Sequence, residues 1–124
     1  MSLLLDTHVV LWWLEGARLE EDLVQRIADP GALVMVSAAS IWEASIKAAL
    51  GKLDAPDSLA RAVIEEGFAP LPITFDHAAR AGELPMHHRD PFDRMLVAQS
   101  EIEGLTIVTH DPAFDPYRVR ILRA

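Results

Sequence analysis

Two apolar runs in this chain each end on an aspartate, and the two aspartates lie 105 positions apart. Leu3-Leu4-Leu5 leads into Asp6-Thr7, and Leu105-Thr106-Ile107-Val108 leads into Thr109-His110-Asp111. Short runs rich in Leu, Ile and Val read as parallel strands buried on both faces. In an open α/β sheet the ligand site lies just beyond the carboxyl ends of the strands. Two strands that each release a carboxylate at that edge predict a shared anionic pocket. Like charges held close together disfavour ionisation, so such a pocket calls for a cation. A hard metal is the first expectation.

The rest of the chain alternates strand and helix signals. Strands are expected over 3–5, 33–36, 105–108 and 119–122, with a weaker one over 68–73 that Pro70 and Pro72 confine to an edge. Helices are expected over about 8–14, 20–28, 38–50, 56–67, 75–82 and 91–103, with a short helical turn after Pro112. On the third, Ala39, Trp42, Ile46, Ala49 and Leu53 recur at spacings of three and four, which predicts one buried face. Repeated strand-then-helix units mean an α/β fold, a mostly parallel sheet flanked by helices on both faces. At 124 residues and 51% hydrophobic, the chain reads as a single domain over 1–124. Burying roughly two-thirds of the unfolded surface suffices for a core of its own.

Composition removes several function classes. There is no Cys, so disulfides, thiolate zinc sites and cysteine nucleophiles are excluded. The N-terminus does not read as a signal peptide, and no apolar run approaches the ~20 residues of a membrane span. These readings predict a cytoplasmic protein. A net charge of -8 argues against a broad basic nucleic-acid surface. It leaves room for a metal-dependent nuclease, whose ligands count as negative charge.

Asp-Pro occurs at Asp29, Asp90, Asp111 and Asp115, the pattern of a helix N-cap with Pro at the first helical position. Asp111 stands apart because a buried strand delivers it, and Asp6 matches it in position. Asp29 and Asp115 read as caps only. Asp90 is the natural cap of its helix. Asp93, in the first turn, is either an acid facing the positive helix end or a third ligand aimed at the pocket. Glu43 pairs by spacing with Lys47 at i,i+4, an exposed pair of about 0.3–0.5 kcal/mol; alternatively its helix follows a strand whose end also reaches the pocket. Thr7, Thr109, Ser37 and Ser40 accompany these acids as supporting hydroxyls or caps. The five histidines, at 8, 77, 87, 88 and 110, show no zinc-ligand spacing and read as surface or substrate-facing groups. Trp12 and Trp13 read as helix-packing residues. No glycine-rich phosphate loop and no Gly-x-Ser-x-Gly elbow is present.

Together the segments resemble the PIN-domain ribonucleases, specifically the VapC-type toxins of bacterial toxin–antitoxin pairs. The resemblance rests on Leu-Leu-Asp-Thr-His at 4–8 with Leu11-Trp12-Trp13-Leu14, and on Val-Ser-Ala-Ala-Ser-Ile-Trp-Glu at 36–43 with Lys47 and Leu50-Gly51-Lys52-Leu53. It continues through Leu-Pro-Ile at 71–73, His-Arg-Asp-Pro-Phe-Asp-Arg-Met-Leu-Val-Ala-Gln at 88–99 and Gly-Leu-Thr-Ile-Val-Thr-His-Asp at 104–111. It implies a single PIN-like domain whose four acids fall on Asp6, Glu43, Asp93 and Asp111, which moves Glu43 from the exposed pair into the site.

The implied activity is a metal-dependent endoribonuclease using Mg²⁺ or Mn²⁺, which prefer carboxylate and water oxygens. Asp6, Asp93 and Asp111 would hold the ion directly or through water. Glu43 would orient or deprotonate the attacking water, or hold a second ion. Attack by water rather than by the ribose hydroxyl leaves a 5′-phosphate and a 3′-hydroxyl. Implied partners are RNA, a cognate VapB-type antitoxin and a second copy of the chain, with no membrane. The helix after Asp6 is apolar almost all round, so a groove near Trp12 or Trp13 is the expected antitoxin site. Two rival readings are an aspartyl-phosphate phosphatase using Asp6, with His8 where such enzymes usually carry a second acid, and a non-catalytic interaction domain whose acids are caps.

Overall fold

The computed structural model describes residues 1–16, 19–53 and 58–124. Its first strand, β1 (Ser2–Leu5), is the centre of the domain, and Leu3, Leu4 and Leu5 are fully buried. Successive strand side chains point to opposite faces, so the triplet feeds two cores. Leu3 and Leu5 enter one with Val9, Val10, Val34, Val36 and Val108. Leu4 enters the other with Leu96, Val97, Ala98, Ile107 and Phe114. A strand so placed needs apolar cover on both sides, and helices provide it.

From β1 the chain runs through α1 (Thr7–Glu15) and α2 (Glu21–Ala28) to β2 (Leu33–Ser37). It continues through α3 (Ala38–Ala49) and α4 (Leu59–Glu65) to β3 (Ala69–Leu71). It then crosses back through α5 (Phe75–Glu83) and α6 (Pro91–Glu103) to β4 (Thr106–Thr109). A 3₁₀ turn (Pro112–Phe114) precedes β5 (Ile121–Arg123). Among the described residues the sheet has five strands in the order β3-β2-β1-β4-β5, every pair parallel. The expected α/β architecture, with helices on both faces, is the one observed. The proline-bearing strand β3 lies at an edge, as expected. No described helix is long and apolar enough to cross a membrane. The expected helix start at Pro56-Asp57 lies outside the described residues.

The strand order reverses at β1. The chain builds outward through β2 and β3, then returns to place β4 on the other side of β1. Crevices at such switch points, outside the carboxyl ends of the strands, are where open α/β sheets bind ligands. Register brings the ends together: Leu5 pairs with Val108, and Asp6 N–H continues the ladder to Val108 C=O at 2.9 Å. Asp6 and Thr109 therefore emerge side by side at the switch point.

Two expectations about side chains fail. The predicted buried face of α3 points outward in its middle: Trp42 is 61% exposed, and Ile46 and Ala49 are exposed too. The helix instead buries Ala39, Ser40, Glu43 and Ala44. Its polar side is drawn inward by partners at the sheet edge, while the apolar stripe has no sheet to cover. The second failure is His77, expected near the surface but 1% exposed. Thr74 N–H donates to His77 Nδ1 at 3.1 Å and His77 N–H to Thr74 Oγ1 at 3.1 Å, a capping box at the start of α5. With Nδ1 accepting, Nε2 carries the hydrogen and faces Glu103 Oε2 at 3.0 Å. His77 thus ties α5 to α6. His77→Ala removes the reciprocal cap and leaves a void, and it should destabilise the domain by about 2 kcal/mol. A lower urea midpoint with unchanged slope is the expected result.

Candidate metal centre

Asp6 follows β1 and is only 4% exposed. Its Oδ1 accepts from Thr7 N–H at 2.7 Å, capping α1, and its Oδ2 accepts from Thr109 Oγ1 at 2.7 Å. Burial raises its pKa above the usual carboxylate value, against the pull of the Thr109 and Thr7 hydrogen bonds and of His8, and the Glu43 charge adds to the rise. The capping reading is thus correct as far as it goes. It does not account for a carboxylate placed where it is hard to ionise.

Thr7 links Asp6 to α3. Its Oγ1 donates to Glu43 Oε1 at 2.6 Å, while Lys47 Nζ donates to Glu43 Oε2 at 2.8 Å. The Glu43–Lys47 pair expected from spacing exists, but Glu43 is buried at 5% exposure rather than on a solvated face. Glu43 raises the Lys47 pKa, chiefly through the hydrogen bond, and the charges of Asp90 and Asp93 act in the same direction. One ammonium thus faces several acids.

The start of α6 supplies the third acid. Asp90 Oδ1 accepts from Phe92 N–H at 2.9 Å and Asp93 N–H at 3.1 Å, so Asp90 is the cap, as expected. Asp93 is freed from capping, and its buried side chain is available to other partners. Burial pushes its pKa up to about 7, opposed by His88 and reinforced by the charges of Asp90, Asp6 and Glu43. The charges of Asp6, Glu43 and Asp93, carried on three separate segments, thus act on one another. Asp111 joins less directly. Its N–H donates to Thr109 Oγ1 at 3.0 Å, the hydroxyl that holds Asp6, while its Oδ1 caps the 3₁₀ turn at Ala113 N–H, 2.9 Å away.

Of the expected supporting hydroxyls, Thr7 and Thr109 bridge the acids. Ser40 lies three residues before Glu43 on the same helix face, buried, with its Oγ lacking a partner among the described residues. Asp29 and Asp115 stay outside, Asp29 accepting from Gly31 N–H at 2.9 Å and Asp115 pairing with Arg123.

Sequence reasoning missed His88 and Arg94. His88 Nε2 lies 2.7 Å from Asp93 Oδ2, and ligand atoms of His88, Asp90 and Asp93 lie within 4.8 Å of one another. The buried Arg94 guanidinium donates to the carbonyls of Ala81, Leu84, Pro85 and His88 at 2.8–3.3 Å, fixing the segment that presents His88. A buried arginine spent on carbonyl oxygens has no sequence signal, but Asp-Arg at 93–94 beside His87-His88 is where one would look.

The donor set is mainly carboxylate oxygen, hard and anionic, with one imidazole nearby. Such a set suits Mg²⁺ or Mn²⁺, and the raised pKa values of Asp6 and Asp93 mark an environment that a divalent cation would relieve. A pH dependence follows. The Asp93 pKa is about 7 in the folded chain against an ordinary value of 3.8, so the folded state holds this proton more tightly than the unfolded state. Its contribution is fully present below the ordinary value and is lost as pH rises through about 7. In chelator, the melting temperature should fall between about pH 5 and pH 8. Asp93→Asn should flatten that fall, and an equally steep fall in the variant would assign it to other groups.

The family profile described as PIN domain matches residues 3–119. No curated protein matches by sequence at a significant level. Among solved structures, the fold is similar to the DNA-bound VapBC of Salmonella typhimurium, with a TM-score of 0.73 at 20% identity over 99% of this chain and 98% of that one. It is also similar to VapBC2 of Rickettsia felis bound to a promoter DNA fragment, with a TM-score of 0.75 at 11% identity, again over 99% and 98%. A third similar structure is VapBC-5 of Mycobacterium tuberculosis, with a TM-score of 0.65 at 20% identity over 99% and 98%. At these identities the solved structures establish the fold, and the profile match over nearly the whole sequence establishes the family. With Asp6 and Thr109 side by side at the switch point of a parallel sheet, the chain belongs to the PIN domain family.

Proposed function

We infer that this protein is a metal-dependent endoribonuclease and the VapC-type toxin of a toxin–antitoxin pair. PIN domains are generally nucleases that use a divalent metal. The observation that carries the reading for this chain is the contact network at the end of β1. There the Thr7 hydroxyl donates to the buried Glu43 and the Thr109 hydroxyl to the buried Asp6, with the buried Asp93 near enough to feel both charges.

Asp6, Asp93 and Asp111 are the residues to hold Mg²⁺ or Mn²⁺, with Glu43 beside them. When bound, the ion supplies Lewis acidity, which makes water a better nucleophile and offsets charge on the phosphoryl group and leaving oxygen. The remaining work falls to the chain. Thr109 and the Thr7 amide fix both oxygens of Asp6, so its lone pairs point in set directions. Glu43, held by Thr7 and Lys47, is an oriented base that takes the proton of the attacking water. The Lys47 ammonium offers the incoming phosphate a positive charge in an otherwise acidic pocket. Hydrolysis by water leaves a 5′-phosphate and a 3′-hydroxyl. In this reading the protein works in the cytoplasm.

The partner reading draws support from two sources. The similar solved structures are themselves toxin–antitoxin complexes. On this chain a cavity of about 210 Å³ lies beside Trp12, Trp13, Gly16, Leu19 and Val24, where an antitoxin groove was expected. An amphipathic antitoxin helix docks there in this reading. A toxin homodimer completes the assembly.

Two tests address these claims. Asp6→Asn, Asp93→Asn and Asp111→Asn should each abolish RNA cleavage while the fold persists, and chelator should abolish it in the wild type. Asp90→Asn should keep much of the activity, because Asn caps a helix nearly as well as Asp. A dead but folded Asp90→Asn would move the metal role to Asp90; cleavage surviving excess chelator with 2′,3′-cyclic phosphate ends would refute the mechanism. For the partner, co-expression with the short open reading frame immediately upstream should yield a small protein that co-purifies with a tagged toxin. No co-purifying protein, together with unaffected growth on expression of the toxin alone, would leave the nuclease reading without its antitoxin.

A further inference from the structure

Each of two acids of the candidate centre is preceded by an aromatic residue. Trp42 precedes Glu43 on α3, and Phe92 precedes Asp93 in the first turn of α6. Neighbouring helix residues are rotated about 100° from one another. An acid aimed into the pocket therefore leaves the ring before it at the rim. The two rings meet there edge to face, with centroids 5.2 Å apart and planes at 78°. Phe92 is half-buried against this contact, and Trp42 stays 61% exposed. Packing leaves most of Trp42 uncovered, since α3 buries its other side.

The geometry points to a base-stacking subsite: the Trp42 ring, braced by Phe92, receives a base of single-stranded nucleic acid whose backbone passes over the Glu43–Asp93 pocket. This rests on the nuclease reading and adds how substrate is held. Three observations favour a base as the occupant. The ring pair stands one residue from acids that would act on the backbone, so a nucleotide held on it lies next to them. The chain carries a net charge of -8, so phosphate attraction is a poor source of affinity. Stacking supplies affinity without charge, because every base has a π-face. The rim also continues into an apolar cleft of about 470 Å³, where Ile41, Ile64, Pro70 and Leu71 offer a base apolar contact and a phosphate none. Contact with Phe92 limits rotation of the indole, so less order is lost on binding.

The test measures binding in chelator, where the metal-dependent reaction is stopped. Fluorescence anisotropy follows a fluorescein-labelled single-stranded oligouridine, with an abasic ribose-phosphate oligomer of the same length as control. Trp42→Ala should weaken oligouridine binding roughly tenfold, Trp42→Tyr should nearly restore it, and the abasic oligomer should bind the wild type as weakly as oligouridine binds Trp42→Ala. Equal binding by Trp42→Ala and wild type overturns the subsite while leaving cleavage intact. Conversion of a dimer to a monomer by Trp42→Ala in sedimentation also overturns it, since the face would then be a protein contact. A wild-type protein that neither binds nor cuts RNA sinks the nuclease reading itself, a result distinct from either.

Discussion

The carboxylate of Asp6 is the joint on which the rest of the site depends. It ends the central strand, caps α1 through the Thr7 amide and accepts from Thr109 at the end of β4. The Thr7 and Thr109 hydroxyls extend this joint to Glu43 on one side and to the Asp111 amide on the other. Burying a carboxylate costs several kcal/mol unless partners compensate. Here the hydrogen bonds only partly offset burial, because the Asp6 pKa remains raised. The sheet imposes this condition. Leu3, Leu4 and Leu5 bury β1 on both faces, and Asp6 has nowhere to emerge except the covered crevice between β1 and β4.

The acids that meet Asp6 come from distant segments, and each is delivered by a rigid element. Glu43 sits in the second turn of α3, locked by Thr7 and Lys47. Asp93 sits in the first turn of α6, turned inward because Asp90 has taken over the cap. Arg94, next in sequence, holds the preceding segment by its carbonyls and so sets His88 against Asp93. Sites carried on helices and strands hold their geometry better than sites on loops. That matters for a centre whose members repel one another. Fold stability and site charge are therefore opposed, and the ends of β1, α3 and α6 absorb the conflict.

Much of this was legible in the sequence because it follows from local rules. Apolar triplets ending in aspartate gave the strands and their shared edge, Asp90-Pro91 gave a helix start, and Pro70 and Pro72 gave an edge strand. What escaped depended on partners from elsewhere in the chain. The spacing of Ala39, Trp42 and Ile46 signalled a buried helix face, yet the buried face carries Glu43 and Ser40, because the neighbouring elements offer polar partners there. His77 and His88 look alike in sequence. One is a buried cap bound to Glu103 and the other touches Asp93, and only the fold separates them. Periodicity shows that a face is apolar but not what lies opposite it, so Trp42 reads as buried in the sequence and stands exposed in the fold.

The proposed centre is one anionic pocket whose repulsion a divalent cation relieves. The most direct measurement is the melting temperature of the full chain at pH 8, first in chelator and then in excess Mn²⁺. A ligand that binds only the folded state stabilises it by mass action. A clear rise is expected in the wild type and little or none in Asp93→Asn, with the variant in chelator melting no lower than the wild type in chelator. A wild type whose melting temperature ignores Mn²⁺, or an Asp93→Asn that responds as fully as the wild type, would contradict it.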